Sequence, residues 1–419
     1  MHNSTQTTFL TKFTTIFLIL YGVYYTPIDT FGTDAPIKFA LMVFSIILLL
    51  THTFKLSKAF IIGSLYLLYQ FFVANFHPES FRWSTYLYSV LLVLTYICFY
   101  NLIYLEKVFT INHFIKLCKW MMMTYFVICI IQQLFLLAGF SYVPEINLWK
   151  VLDRGIGCNS LANEPSHFAR FMLVFYYAYV KCCEYKRGEG AFTLQELFSG
   201  EHRWVTIRFL WMMFTMGSGT AFVCLIIFCL YFVRRHNWYY VIPILTICYL
   251  LIQASGIEHL DRATGVMNEV AKLDKAGAQE ADGSGASRIS PLLNSFKVDL
   301  TKFETWFGHG IDYSRNNNLI IRQTATLFDD YGLIWYILSL IFAFSCAYNF
   351  WSLATIFMFA GIGGGCSGNI QYAWELMMVM TCVKYFYENR CNPEIYEEEE
   401  EYEELDIEND EEESKTAAK

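Results

Sequence analysis

A series of apolar runs, most of them nearly long enough to cross a lipid bilayer, limits the fold of this chain more than any other feature. A bilayer core of about 30 Å needs roughly 20 apolar residues as helix. Only 16% of the 419 residues are charged, which is too few to cover the surface of a soluble protein. The predicted spans are 9–25, 37–52, 59–76, 84–104, 119–140, 165–183, 204–217, 219–233, 238–254, 324–345, 351–364 and 370–388. The sequence therefore predicts an all-α, polytopic transmembrane helical bundle of about 12 spans.

The positions of Lys and Arg predict which span ends face the cytoplasm. The region 204–233 reads either as one long helix or as two short ones separated by the Gly-Ser-Gly-Thr sequence at 217–220. If the region 204–233 forms two spans, Arg234 and Arg235 fall on the same side of the membrane as the basic residues of several other connections. The full set on that side is Lys55, Lys58, Lys107, Lys116, Lys181, Lys186, Arg187, Arg234 and Arg235. The opposite connections 26–36 and 365–369 contain no Lys or Arg. This positive-inside pattern predicts two spans here, with the N- and C-termini in the cytoplasm.

The chain divides into a membrane-embedded body and a short tail. Residues 1–393 are predicted to form the transmembrane bundle, with two long outer loops at 141–164 and 255–323. Residues 394–419 begin with an almost continuous acidic run, which accounts for the net charge of −8. Because such a run repels itself and stays solvated, we predict a disordered cytoplasmic tail.

The larger outer loop is predicted to contain two short helices that lie on the mouth of the bundle. Near-helical spacing of Leu260, Met267 and Val270 indicates the first. Ser290-Pro291 is a favourable start for the second, and Gly308 and Gly310 end it. Its predicted apolar face contains Leu293, Phe296, Leu300 and Phe303.

A Glu-Pro-Ser-His motif at 164–167 opens the span that follows the first outer loop. Proline suits the first helical turn, so Glu164 is placed at the helix start, at the outer interface. Glu164, His167 and Arg170 are three residues apart and share one broad side of the helix, with Arg170 about 9 Å further along the axis. A charge at membrane depth costs about 2.5–3.5 kcal/mol, so such residues usually face a polar cavity. The alternative is that Glu164 only complements the helix dipole while Arg170 snorkels to the interface.

Further basic residues are predicted on the same outer side. They are Arg154 in the first long loop, with Arg288, His309, Arg315 and Arg322 in the second. Taken singly, each is more typical of a solvated loop charge than of a ligand contact. Taken together with the helix-start residues, they predict an anion site, because guanidinium groups bind phosphates through paired hydrogen bonds. A pyrophosphate carried on a lipid would sit at this depth.

Four sequence features follow one another on the predicted outer side. They are Glu164-Pro165-Ser166-His167 at a span start, Ser218-Gly219-Thr220 in a tight turn, Phe307-Gly308-His309-Gly310-Ile311-Asp312 at the end of the large loop, and Asn317-Asn318-Leu319 ahead of Asp330-Tyr331-Gly332-Leu333-Ile334. In order and sidedness they resemble the O-antigen polymerase and O-antigen ligase superfamily of bacterial surface-polysaccharide assembly. The resemblance covers most of 141–345. The family's Ser-Arg turn has Gly219 in place of Arg, and its His-Asn pair is Asn-Asn here.

The resemblance implies a glycosyltransferase-C-like bundle in the inner membrane of a bacterium. It implies an enzyme that polymerises oligosaccharide repeat units carried on polyprenyl pyrophosphate into O-antigen, capsular polysaccharide or exopolysaccharide at the outer membrane face. A sugar hydroxyl would attack the anomeric carbon, and polyprenyl pyrophosphate would leave. The lipid bilayer, a chain-length regulator and a flippase are the implied partners; no cofactor, metal or nucleic acid is predicted.

The residue roles are assigned from charge and position. Glu164, His167 and Arg288 are the predicted catalytic residues, with Glu164 first and His167 second as the base for the acceptor hydroxyl. The predicted substrate-binding residues are Arg154, Arg170, His309, Arg315 and Arg322. Cations that meet the charge growing on the leaving group would make a metal dispensable.

Three other functions stay open at the level of sequence. A ligase that transfers glycan to a lipid A core belongs to the same class. A transporter or flippase for amphipathic anions would need polar residues through the full membrane depth, whereas the ionisable residues here gather on the outer side. The third is a non-catalytic membrane subunit.

The thirteen cysteines are scattered, mostly within apolar runs, and no CxxC motif occurs. They are typical of small core residues. Cys158 and Cys366 both fall on the outer side of the predicted topology and could pair.

Overall fold

The computed structural model describes residues 2–23, 35–79, 81–140, 157–162, 164–188, 190–233, 243, 246, 299–316, 324–362 and 371–392. Within these residues every element is helical. The helices are α1 (His2–Gly22), α2 (Ala35–Thr51), α3 (Lys58–Phe76), α4 (Trp83–Tyr104), α5 (Ile111–Leu137), α6 (Pro165–Arg187), α7 (Leu194–Leu197), α8 (His202–Thr215), α9 (Gly219–Cys229), α10 (Phe303–Phe307), α11 (Tyr313–Asn316), α12 (Thr324–Cys346), α13 (Leu353–Ile362) and α14 (Gln371–Asn389). The predicted all-α class is confirmed.

Three helices, α3, α4 and α5, are long and apolar enough to cross a membrane. Four shorter apolar segments accompany them: Thr8–Gly22, Pro36–Thr51, Gly219–Phe232 and Asp330–Cys346. These helices indicate a membrane protein, while the twelve-span count stays a prediction. The predicted span 238–254 lies outside the described residues, apart from residues 243 and 246.

The distribution of polar and apolar side chains is that of a helical membrane protein. Leu50, Leu68 and Leu134 point outward and are each more than half exposed. Polar side chains such as Gln70 and Asn101 are instead fully buried between helices. Because a lipid solvent favours apolar side chains on the outside and polar side chains between the helices, this arrangement fits a bilayer better than water.

Helix α6 lies at the centre of the described bundle. It packs against α5, α8, α9 and α14, and every residue from Phe168 to Val180 is buried. Its mean hydropathy is too low for it to count among the three long apolar spans, because it carries many Tyr and charged residues. Surrounding helices, rather than lipid, cover these polar side chains.

The region 204–233 forms two helices, as the charge distribution predicted. Helix α8 ends at Thr215 and α9 begins at Gly219, with a short 3-10 segment at Leu230–Phe232 after α9. The break occurs at Gly217, which has a φ of +65°. Ser218 and Thr220 are buried beside this turn, so the small residues allow the two helices to pack closely.

The predicted span 324–345 is not one uninterrupted helix. Gly332 interrupts α12 with φ +79° and ψ −179°, a conformation essentially restricted to glycine. The apolar part begins near this break, at Asp330. The sequence pattern missed the break because a single glycine within an apolar run is compatible with helix.

The prediction of a helix from Ser290 to Gly308 is wrong at residues 299–302, which form a turn before α10 begins at Phe303. The Asp299 carboxylate accepts hydrogen bonds from the Thr301 backbone N–H (3.0 Å) and hydroxyl (2.6 Å), a local bond that competes with helix. Leu300 and Phe303, predicted to share a packed face, are 58% and 50% exposed. Gly308 ends α10 as predicted. The other predicted loop helix, at 260–270, lies outside the described residues.

Several of the basic residues that were assigned to the cytoplasm meet at one end of the bundle. Ion pairs connect Lys55 to Glu106 at 2.8 Å and Arg187 to Glu196 at 2.7 Å. They join the start of α3 to the end of α4, and the end of α6 to α7. This clustering agrees with the predicted topology. Which membrane face this end occupies stays a prediction, and the tail from residue 394 lies outside the described residues.

Candidate functional site

At the opposite end of the bundle, the Glu-Pro-Ser-His motif forms the start of α6. Pro165 occupies the first turn and Glu164 precedes it in an extended conformation, as the sequence predicts. The Glu164 side chain makes no capping hydrogen bond to the helix backbone. Instead its Oε1 accepts a short hydrogen bond from the Ser166 hydroxyl and lies 3.6 Å from Nε2 of His167. The carboxylate is thus directed along the predicted site face of α6, and it remains half exposed.

Arg170 is the most unusual residue of this face. It is only 3% exposed, and its Nε has no hydrogen-bond partner. In the described part of the chain no carboxylate forms an ion pair with it. Its guanidinium carbon instead lies 4.8 Å from the centroid of the Tyr372 ring. This burial does not fit the snorkelling alternative, and the polar cavity predicted beside Arg170 stays a prediction.

Tyr372, near the start of α14, connects the two basic residues of α6. The His167 ring centroid lies 4.4 Å from that of Tyr372, which also contacts Arg170. We name Glu164, His167, Arg170 and Tyr372 the α6 cluster. It combines a half-exposed carboxylate, an imidazole and a buried guanidinium within one helix turn and a half, which is the composition expected of a site for an anionic ligand.

Two buried charged residues near this end escaped the sequence analysis. Glu375 lies one turn after Tyr372 on α14, is 1% exposed and has its carboxylate directly against Gly22 at the end of α1. Lys38, in the first turn of α2, is 8% exposed, and its Nζ lies 5.9 Å from the Tyr21 ring centroid. A carboxylate inside an apolar run was the available signal for Glu375. Lys38 lies at a span start, where basic residues are commonplace, and offered none.

A second polar group contains His309 and the end of the large loop. Asp312 accepts a hydrogen bond of 2.7 Å from the Thr85 hydroxyl, and its Oδ2 lies 3.8 Å from Nε of Arg82. His309 stacks on Tyr313 with a centroid distance of 4.4 Å. These contacts fasten the 308–316 segment to the start of α4, so Asp312 ties the loop to the bundle.

The two late sequence motifs pack directly on each other through their glycines. The Gly310 N–H donates to the Asp330 carbonyl at 3.0 Å. A Cβ built on Gly308 would lie 2.2 Å from the Asp330 carbonyl oxygen, and one on Gly332 would lie 2.4 Å from the Trp306 oxygen. The Tyr69 hydroxyl bonds to the carbonyls of Trp306 and Tyr331. The Phe-Gly-His-Gly and Asp-Tyr-Gly sequences are therefore two halves of one backbone contact.

The structure thus tests only part of the predicted site. Glu164, His167 and Arg170 come together in the α6 cluster, and His309 belongs to the second polar group. Arg315 lies in α11, but its side chain is not among those described. Arg154, Arg288 and Arg322 lie outside the described residues, as does Cys366. The single anion site predicted for these arginines therefore stays a prediction.

A cavity of about 210 Å³ lies at the basic end of the bundle, away from the α6 cluster. It contains two lysines, and both have partners. Lys181 Nζ lies 2.6 Å from Glu184 Oε1, and Lys384 Nζ donates to the carbonyls of Phe344 and Tyr348. Since both ammonium groups already have oxygen partners within the protein, the α6 cluster is the better candidate site.

Among the described residues, no group of three His, Cys, Asp or Glu side chains could hold a metal ion. The predicted metal independence stays a prediction. In comparisons with known proteins, no family model, curated protein or solved structure matches this chain. The fold and the α6 cluster define a helical membrane protein with a candidate site for an anion.

Proposed function

We propose that this protein is a glycosyltransferase that polymerises oligosaccharide repeat units carried on polyprenyl pyrophosphate, at the outer face of a bacterial inner membrane. The product would be an O-antigen, capsular polysaccharide or exopolysaccharide. The observation that carries the proposal is the buried Arg170 guanidinium, which contacts an aromatic ring and, among the residues that the structure describes, pairs with no carboxylate. A buried cation without an ionic partner is costly unless a ligand supplies the charge.

A lipid diphosphate supplies that charge at a suitable depth. Arg170 is the sixth residue of α6, about 8 Å from its start along the helix axis. If α6 begins at the outer interface, as the proposed topology has it, the guanidinium would lie just below the lipid headgroups. When the glycosyl bond breaks, negative charge grows on the diphosphate that leaves. A preorganised guanidinium stabilises this charge without reorganisation, and such electrostatic stabilisation is usually the largest catalytic contribution.

The acceptor hydroxyl must lose a proton as it attacks the anomeric carbon. Glu164 is the proposed base because its carboxylate is half exposed and lies within reach of the same face as Arg170. His167 lies between them and would donate a hydrogen bond or act as the second candidate base. A positioned base contributes about 10²–10⁴-fold to such a reaction. Arg154, Arg288, Arg315 and Arg322 remain proposed phosphate ligands on sequence grounds, with His309 as a donor.

The test is deletion of the gene followed by complementation and analysis of the surface glycan. Loss of a polymerase leaves single repeat units attached to their acceptor. We expect Arg170→Ala to restore no long chains at unchanged protein level, with a rate about 10²–10³-fold lower in membranes supplied with lipid-linked repeat units. Arg203→Ala is the matched control, because Arg203 is an exposed arginine at the other end of the bundle. Normal chain length with both Arg170→Ala and Glu164→Gln would refute the site assignment.

One observation favours a second candidate, a transporter for amphipathic anions. Glu375 and Lys38 are buried charges within helices, and transporters use such residues along their pathways. The same deletion separates the alternatives. A transporter defect leaves the repeat unit trapped on the cytoplasmic side, and a ligase defect leaves no glycan attached to the lipid A core.

A further inference from the structure

Two cysteines lie in contact near the predicted outer end of the bundle. Sγ of Cys129 on α5 is 3.1 Å from Sγ of Cys158, in the segment that leads to α6. Both side chains are buried, with exposures of 0% and 1%. A disulfide has a sulfur–sulfur distance of about 2.0 Å, so the two thiols need to approach by only about 1 Å.

The polypeptide around Cys158 is held firmly against α5. The Ser160 backbone N–H donates to Gln132 Oε1 at 2.7 Å, and the Ser160 hydroxyl donates to the Tyr125 carbonyl at 2.7 Å. The Gln132 side-chain amide donates in turn to Asn159 Oδ1 and to the Ser160 carbonyl. These bonds fix the register of the segment, so Cys158 faces Cys129 as part of the fold and not by chance contact.

We propose that Cys129 and Cys158 form a disulfide in the mature protein. In the predicted topology this end of the bundle faces an oxidising compartment, where disulfides form and persist. The donor is an oxidised thiol–disulfide oxidoreductase. One cysteine thiolate attacks the donor disulfide to give a mixed disulfide, and the second thiolate displaces the donor. The two cysteines lose two protons and two electrons, and the donor leaves as a dithiol.

The cross-link would tie α5 to the segment that presents Glu164. Cys158 lies six residues before Glu164, so a covalent bond at this position limits how far the start of α6 can move away from α5. Because both sulfurs are buried, the bond must form before residues 157–162 close onto α5. The proposal does not depend on the proposed glycosyltransferase activity.

The experiment is sequential alkylation of the full-length protein, purified from membranes without reductant. Thiols are blocked with N-ethylmaleimide in denaturant, disulfides are then reduced, and the released thiols are labelled with an isotopically heavier maleimide. We expect the heavy label on Cys129 and Cys158, and a non-reduced digest should contain their joined peptides. Cys118, Cys182 and Cys382, nearer the basic end of the bundle, should carry the light label.

Two variants sharpen the result. Cys129→Ser should move Cys158 to the light label and lower the unfolding temperature, whereas Cys182→Ser should leave the Cys129–Cys158 pair unchanged. Light label on both Cys129 and Cys158 of the wild-type protein would overturn the proposal. Joined peptides that link Cys158 to Cys366 would overturn it as well. The wild-type measurement stands even where a variant fails to fold.

Discussion

At the scale of single residues, the candidate site depends on how Arg170 is accommodated. Its guanidinium lies against the face of Tyr372, and a cation–π contact of this kind contributes about 0.5–2 kcal/mol. That contribution offsets part of the cost of burying the charge but leaves the charge itself in place. A carboxylate partner would have neutralised it. Under the proposed function, this aromatic support would keep Arg170 available for an anionic ligand.

This arrangement predicts that the polymerisation rate depends on the aromatic ring of Tyr372 and not on its hydroxyl group. Tyr372→Phe should keep polymer length and rate near those of the wild type. Tyr372→Ala should lower the rate in membranes by about 2- to 30-fold, the equivalent of the lost cation–π contact.

A double-mutant cycle distinguishes positioning of Arg170 from general damage to the fold. If Tyr372 acts through Arg170, Tyr372→Ala should cause little further loss of rate in an Arg170→Ala background. A full additional loss in that background would contradict the role given to Tyr372.

At the scale of elements, the contact between Gly308 and Gly332 positions the end of the large loop. Both residues have positive φ, with values of +76° and +79°, and ψ near 180°. Each lies so close to the opposing backbone that no side chain fits. The interruption of α12 and the end of α10 are therefore one feature, a close approach of two backbone segments that only glycine permits.

We predict that Gly332→Ala strongly destabilises the protein. A Cβ would lie 2.4 Å from a backbone oxygen, and the backbone conformation alone costs about 1–3 kcal/mol in a residue with a side chain. The measurement is the unfolding temperature in detergent, together with protein abundance in the membrane.

Gly188→Ala is the matched control for this substitution. Gly188 also has a positive φ, +71°, but nothing lies within 4 Å of a Cβ built on it. Replacing Gly188 with alanine should lower the free energy of unfolding by about 1–2 kcal/mol, because alanine disfavours the left-handed backbone conformation. Equal unfolding temperatures for the two variants would show that the backbone contact at Gly332 contributes nothing.

Across the whole molecule, the two ends of the described bundle differ in how charged side chains are accommodated. At one end, Lys55 and Arg187 form ion pairs between neighbouring helix ends. At the other end, Arg170, Glu375 and Lys38 are buried within the bundle. The positive-inside rule predicts that the first end faces the cytoplasm, and the α6 cluster would then lie on the outer side.

The orientation is tested with a membrane-impermeant maleimide on spheroplasts. Phe140, after α5, is exposed at the predicted outer end, and Cys391, after α14, is exposed at the predicted cytoplasmic end. We expect a cysteine introduced by Phe140→Cys to react in intact spheroplasts and Cys391 to react only after permeabilisation. Reaction of Cys391 in intact spheroplasts would reverse the topology and remove the basis for an outer-face enzyme.

Three features of this protein could be predicted from the amino-acid sequence alone: its helical membrane character, the break between α8 and α9, and the start of α6 at Pro165. These are local or periodic properties, since they depend on apolar length, on glycine and proline, and on charge in short connections. The spacing of Glu164, His167 and Arg170 on one helix side belongs to the same category.

The contacts that these residues make become visible only in the folded chain. Tyr372 is more than 200 positions from Arg170 in the chain, and Gly308 meets Gly332 because two separate segments pack together. The contact between Cys129 and Cys158 also joins separate elements. Such contacts follow from how helices pack side by side, and the hydrophobic pattern of a single helix carries no record of its neighbours.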